Sequence, residues 1–199
     1  MTLGPEYFDE LYRRHPDPWG FRTRWYETRK RHLTMAALPD QRYASVFEPG
    51  CSIGLLTQLL AARSDRVLAL DVSAAALQQA RAHLPAHVQL RQGSVPHDWP
   101  AGRFDLVVLS ELGYYLDEPN CQQMAEMAAS AALDLVAVHW RHPVEDYPLT
   151  GDHVHQLIEQ AAVKHGLGQI CSHVEADFRL AAWSHDHRSV ASRNGLVAS

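Results

Sequence analysis

Long hydrophobic runs, lysine and paired cysteines are what this chain has least of. No stretch of about 18 uncharged apolar residues occurs in the sequence, so a membrane-spanning helix is excluded as its organising element. The start, MTLGPEYFDELYRRHPDPW, has neither a basic segment leading into an apolar one nor a small-residue cleavage site, and a cytoplasmic protein is expected. Cys51, Cys121 and Cys171 are widely separated and form no CxxC pair, which argues against both a disulfide framework and a zinc knuckle. Only Lys30 and Lys164 are lysines among 18 basic residues, and against 23 acidic residues these leave a formal charge of -5. That balance disfavours a general nucleic-acid binder. Also missing is a strand-end Asn or Asp followed by Pro-Pro-aromatic, the kind of motif that grips a flipped base.

What is present suits one compact core. With 199 residues and 46% apolar content, a single domain over 1–199 is expected: a helical cap (1–40), an α/β core (41–187) and a small polar tail (188–199) that should fray. The cap should hold two helices, Pro5 to about Arg14 and about Arg22 to Leu38, around the turn HPDPWGF. From Tyr43 onward, short apolar runs alternate with longer helical stretches, the pattern of a mostly parallel sheet covered on both faces. Strands are expected at Ser45–Glu48, Val67–Asp71, Val88–Arg91, Phe104–Ser110 and Leu133–His139, with helices in between. The last two strand-like runs, Gly168–Val174 and Phe178–Trp183, are too close together for a helical crossover and must form an antiparallel edge hairpin.

The strongest chemical signal is SVFEPGCSIGLLTQLL, where a strand runs into a turn with Gly50 and Gly54 and then into a helix. Such a turn lets the backbone approach a ligand, and the helix start presents free N–H groups. The second strand, RVLALD, ends in Asp71, placed to accept hydrogen bonds from both ribose hydroxyls of a nucleoside-containing ligand. GCSIG is not GxGxxG, so the phosphate-binding turn of a nicotinamide oxidoreductase is incomplete. In RFDLVVLSELGYYL an apolar strand ends in Ser110 and Glu111, followed by Tyr114 and Tyr115. Its carboxyl end should lie beside the first strand at the topological switch point, where open α/β sheets bind ligands.

In the order EPGCSIG, ALD, FDLVVLSELGYYL, the chain resembles the class I S-adenosylmethionine (SAM)-dependent methyltransferases, whose sheet is Rossmann-like. More narrowly, DPWGF, WYETRKRHLTMAALP, EPGCSIGLLTQLLA and LSELGYYL are similar to the NodS family of nodulation N-methyltransferases acting on chitooligosaccharides; the similarity covers roughly residues 5–185. The resemblance implies SAM as cofactor, S-adenosylhomocysteine (SAH) as product, and cofactor contacts at Glu48, Gly50, Cys51, Gly54, Asp71, Val72, Gly93, Ser94, Val95 and Ser110. Ser94 stands where relatives often carry an acidic residue, a contact that Asp98 or a backbone N–H would replace, and Ser52 stands for a common middle glycine.

An aromatic lid from Tyr7, Trp19, Trp25 and Tyr26 would attract the sulfonium by cation–π contact, with Arg24 or Arg29 pairing with the methionine carboxylate. Arg31 and His32 read as a solvated basic helix face. Glu111 and His139 are the candidate catalytic residues, as base or orienter for an amine; Tyr114, Tyr115, Trp140 and Arg141 are the candidate acceptor-binding residues. His153 and His155, two apart on a helix, point in different directions, so no metal site is expected. The expected activity is N-methylation of a small amine-bearing acceptor such as a deacetylated amino sugar, with no nucleic acid or membrane involved. The rivals are methylation of an unrelated small acceptor and a catalytically silent SAM- or SAH-binding protein.

Overall fold

The computed structural model describes residues 1–197. Seven strands form one sheet: β1 (Tyr43–Pro49), β2 (Ser64–Asp71), β3 (Val88–Gln92), β4 (Phe104–Ser110), β5 (Ala132–Trp140), β6 (Gly168–Val174) and β7 (Phe178–Ser184). Their order is β3-β2-β1-β4-β5-β7-β6. The first five are parallel, and β7 returns antiparallel against β5 and pairs with the outermost β6. The expected edge hairpin is therefore present, with its second strand inserted on the inside.

Central strands are buried on both faces, which explains why LVVL and LVAV read as continuous apolar runs and not as alternating ones. The helices α5 (Glu118–Ala131) and α6 (Gly151–Lys164) cover one face, where Met124, Ala128, Ile158 and Trp183 lie fully buried. On the other face pack α2 (Trp25–Ala37) and α3 (Leu55–Ala62), while α4 (Ala74–Arg81) follows β2. Asp117 and Thr150 cap α5 and α6 by accepting N–H bonds from Asn120 and His153. The cap helix α1 (Pro5–Arg14) is preceded by a short strap, in which the Leu3 N–H reaches the Tyr115 carbonyl at 2.9 Å.

Two expectations are revised. The second cap helix starts at Trp25 and not Arg22, because the Asp17 carboxylate accepts the N–H groups of Phe21 and Arg22 and holds that segment as a turn. The tail does not simply fray. It forms a short helix, α7 (Val190–Arg193), whose Arg193 side chain is only 6% exposed and reaches Asp40 at 3.2 Å, Asp134 at 3.8 Å and Ser184 Oγ at 2.7 Å. Residues 198–199 of the expected tail lie outside the described residues. No helix among the described residues is long and apolar enough to cross a membrane.

Candidate active site

A cavity of about 660 Å³ opens over the carboxyl ends of the parallel strands, where β1 and β4 are neighbours and the chain reverses its order of strand addition. The turn after β1 forms one wall. Gly50 has φ +75°, and a Cβ there would lie 3.1 Å from Leu112, so only glycine keeps the backbone this close to the cavity. Ser52, also at positive φ, turns its N–H toward Asp71 Oδ2 at 2.7 Å and its hydroxyl toward that of Tyr12. Asp71 Oδ1 accepts the Ser73 N–H at 2.9 Å, so the carboxylate fastens the turn to the start of α4 and still borders the cavity. Burial pushes the Asp71 carboxyl up to about 6, against the pull of these N–H donors.

Glu48 lies at the floor. It is almost wholly buried, Oε2 has no hydrogen-bond partner among the described residues, and burial pushes its carboxyl up to about 8 despite the nearby Thr57 hydroxyl. Val72, Gly93, Ser94 and Val95 line the side beyond Asp71, with Cys51 and Ser110 between the two walls. Trp19, stacked on Phe21 at 5.5 Å and edge-on to Tyr12 at 5.7 Å, covers this half from the cap.

The other half is formed by α2 and the segment after β4. Glu27, Lys30, Arg31 and Thr34 lie on one face of α2 and all border the cavity, because residues three and four apart share a helix face. Lys30 Nζ donates to Glu111 Oε1 at 2.6 Å and to Glu27 Oε1 at 3.1 Å, with side chains only 5%, 14% and 10% exposed respectively. Glu111 takes a positive φ of 55°, and its Oε2 accepts from the Tyr114 hydroxyl and from the Trp140 N–H. Tyr114, Tyr115 and Trp140 border this half, and Tyr147 stacks on Tyr114 at 4.9 Å and 13°. Tyr114 and Tyr115 are at once core and cavity wall, being 4% and 7% exposed.

Three expected site residues do not reach the cavity. His139 is fully buried behind it: Nε2 accepts the Gly113 N–H at 3.2 Å, Nδ1 has no partner among the described residues, and the ring backs Tyr114 edge-on at 5.5 Å. Burial pushes its imidazole down to about 3, so it is neutral and inaccessible at neutral pH, a supporting group and not a base. Arg141 turns away to pair with Asp152 at 3.0 Å and to donate to the Glu175 carbonyl at 2.6 Å. Gly54, with φ +78°, caps α3; a Cβ there would press on Ala80 at 2.9 Å and Leu84 at 3.0 Å, so its role is helix packing.

Other candidates also sort themselves. Arg29 pairs bidentately with Glu175 at 2.5 and 2.8 Å, outside the cavity, while Arg24 borders it. Tyr7 and Trp25 lie off the cavity, Trp25 being 72% exposed. Asp98 accepts the Ser94 N–H at 2.8 Å and also stands off it. Arg31, expected on a solvated face, instead borders the cavity with Nη1 buried and without a hydrogen-bond partner among the described residues. Residues the sequence reading passed over are Tyr12, Glu27, Lys30, Thr34 and Tyr147; the i, i+3, i+4, i+7 spacing of 27, 30, 31 and 34 was the available signal.

His139 and His155 make a testable pair. Their rings meet edge-on at 5.1 Å, and burial pushes His155 down to about 2. Both bind a proton more readily in the unfolded chain, near pH 6.5, than in the folded protein. Stability therefore falls as pH drops below that value, and it keeps falling until the folded-state values are reached. In His155→Phe, the loss of unfolding free energy between pH 6 and pH 5 should be smaller than in the wild type by about 1 kcal/mol. Urea titrations at the two pH values measure it; an unchanged difference would mean that His155 is solvated or paired.

Residues 46–132 match the model of a family described as a methyltransferase domain. Nodulation protein S of Rhizobium tropici is 33% identical over 113 residues, 55% of this chain; the match covers 47% of that protein, about half its length. A crystal structure from Pseudomonas syringae assigned as a methyltransferase is 42% identical, covers 81% of this chain and 99% of its own, and superposes with a TM-score of 0.70. The N-methyltransferase NodS from Bradyrhizobium japonicum WM9, in complex with SAH, shares the fold at 19% identity, with a TM-score of 0.78 over 91% of this chain and 98% of that one.

Proposed function

The chain belongs to the methyltransferase-domain family, and from that premise we propose that it transfers a methyl group from SAM to the nitrogen of a small amine-bearing acceptor, such as a deacetylated amino sugar. One observation carries the reading: the Gly50–Ser52 turn with Asp71 and the acidic, aromatic half with Glu27, Glu111, Tyr114 and Trp140 open into the same cavity. The residues present fit the cofactor. Gly50 is a cradle that a Cβ would narrow, and two orphaned polar atoms, Glu48 Oε2 and Arg31 Nη1, have the chemistry to meet its methionyl ammonium and carboxylate.

In this reading Asp71 holds the ribose; Val72, Gly93, Ser94 and Val95 flank the adenine; Cys51 and Ser110 contact the nucleoside; and Trp19 excludes water from above. Arg24 and Arg31 share the carboxylate. When bound, SAM supplies an electrophilic methyl group on a sulfonium, so the protein's task is chiefly to position an uncharged nucleophile. Tyr114, Tyr115, Tyr147 and Trp140 pack against the acceptor's carbon skeleton, and Glu111 orients the wall by holding Lys30, Tyr114 and the Trp140 N–H together.

The deciding experiment is transfer of label from methyl-labelled SAM to partly deacetylated chitooligosaccharides and a panel of other small amines, beside calorimetric binding of SAM and SAH. Labelled methylamine product supports the reading. Tight SAH binding with no transfer to any amine would point to the silent cofactor-binding protein, and transfer only to hydroxyl or carboxylate acceptors to a different methyltransferase.

A further inference from the structure

Glu111 stands at the acceptor side of the cavity, yet both its oxygens are engaged: Oε1 by Lys30, Oε2 by the Tyr114 hydroxyl and the Trp140 N–H. With three donors already on its two oxygens, this carboxylate has little room for a fourth from an acceptor. Glu27, one turn before Lys30 on α2, is placed differently. Its Oε1 accepts from Lys30 at 3.1 Å, no hydrogen bond to its Oε2 is made among the described residues, and its side chain borders the cavity.

The charged groups around Glu27 are Lys30 and Arg31 from its own helix and Glu111 from the end of β4. Burial raises its carboxyl above the ordinary range, Glu111 pushes the same way, and Lys30 and Arg31 oppose them. Lys30 is shared between the two carboxylates, and on Glu27 it engages Oε1 alone. A carboxylate oxygen left open beside a shared lysine can accept one further N–H donor.

We propose that Glu27 is the catalytic residue facing the acceptor, binding the ammonium of a primary amine through Oε2 and removing one proton from it. The proposal rests on the methyltransferase reading and assigns a base that the reading leaves open. In the step, one N–H bond of the ammonium breaks, its electron pair stays on nitrogen, and the proton forms an O–H bond with Glu27. After methylation the proton passes from Glu27 to solvent, restoring the carboxylate. An N-acetylated nitrogen carries no such proton and no charge, so acetylation of the acceptor removes both binding and reactivity.

The test uses the full chain saturated with SAH and two matched probe pairs: glucosamine with N-acetylglucosamine, and phenethylamine with N-acetylphenethylamine. Binding is read by calorimetry and by ligand-observed NMR. In the wild type at least one amine should bind ten-fold or more tightly than its acetylated partner. Glu27→Gln should abolish that preference while leaving SAH affinity unchanged, and Glu27→Asp, which keeps the charge but retracts it, should retain the preference at reduced affinity. The proposal is overturned if neither amine is preferred by the wild type, or if the preference survives Glu27→Gln; its disappearance in Glu111→Gln instead would place the role on Glu111. Failure of the wild type to bind SAH would instead remove the methyltransferase reading itself.

Discussion

Replacing Asp71 with alanine should weaken SAH binding by about 100-fold or more. Two hydrogen bonds from ribose hydroxyls to a carboxylate are worth about 1.5–3 kcal/mol each, and two at the lower figure already give that factor. A second effect adds to the first. The Asp71 oxygens also hold the N–H groups of Ser52 and Ser73, so removing them loosens the turn whose close approach depends on Gly50. Asp71→Asn keeps an acceptor and the side-chain shape, and it should lose less. Since burial pushes the Asp71 carboxyl up to about 6, binding should also weaken as pH falls through that value, when the charged acceptor is neutralised. Calorimetry at pH 7.5 and 5.5, with thermal unfolding to show that the variants are folded, checks all three statements; an alanine variant binding SAH within about three-fold of wild type would refute the ribose assignment.

Lys30→Met should produce the largest loss of stability, about 3–5 kcal/mol. The lysine lies between two carboxylates whose side chains are only 10% and 14% exposed, so its removal leaves like charges facing each other in a poorly solvated place. For a chain of this size the corresponding fall in Tm is roughly 10 °C. Because the orphaned carboxylates would bind protons more tightly in the folded protein than in the unfolded one, the deficit should shrink as pH is lowered. Adding Glu111→Gln removes one of the facing charges and should recover a large part of the loss. Thermal unfolding of the single and double variants measures both; a single variant as stable as wild type would mean that water screens the cluster.

The two predictions draw on different kinds of information. Asp71 was legible because its position is a matter of local chain order: an apolar strand following a glycine turn and helix puts its last residue beside that turn in this sheet. Local order also made Gly50 readable, whereas Cys51, Val72 and the segment Gly93–Val95 came from the family resemblance; each of them borders the cavity. The edge hairpin was readable because a short connection permits no crossover.

Lys30 was not legible in the same way. On a helix rich in Arg, Glu and Lys, a basic residue reads as solvated, and nothing local says which side of α2 meets Glu111, 81 positions later. His139 failed for the complementary reason: a histidine at the end of a strand looks available, but α6 brings the His155 ring against it and the Gly113 N–H takes its Nε2. Arg141 was claimed by Asp152 and the Glu175 carbonyl, and Gly54 by the packing of α3 on α4.

Amino-acid order alone therefore determined the parallel sheet, its antiparallel edge and the glycine-turn wall of the cavity, because hydrophobic period, glycine turns and strand ends act over a few residues. The tertiary structure decided which polar side chains are buried together and which oxygen of which glutamate remains open, because burial and charge pairing depend on distances between segments remote in the chain.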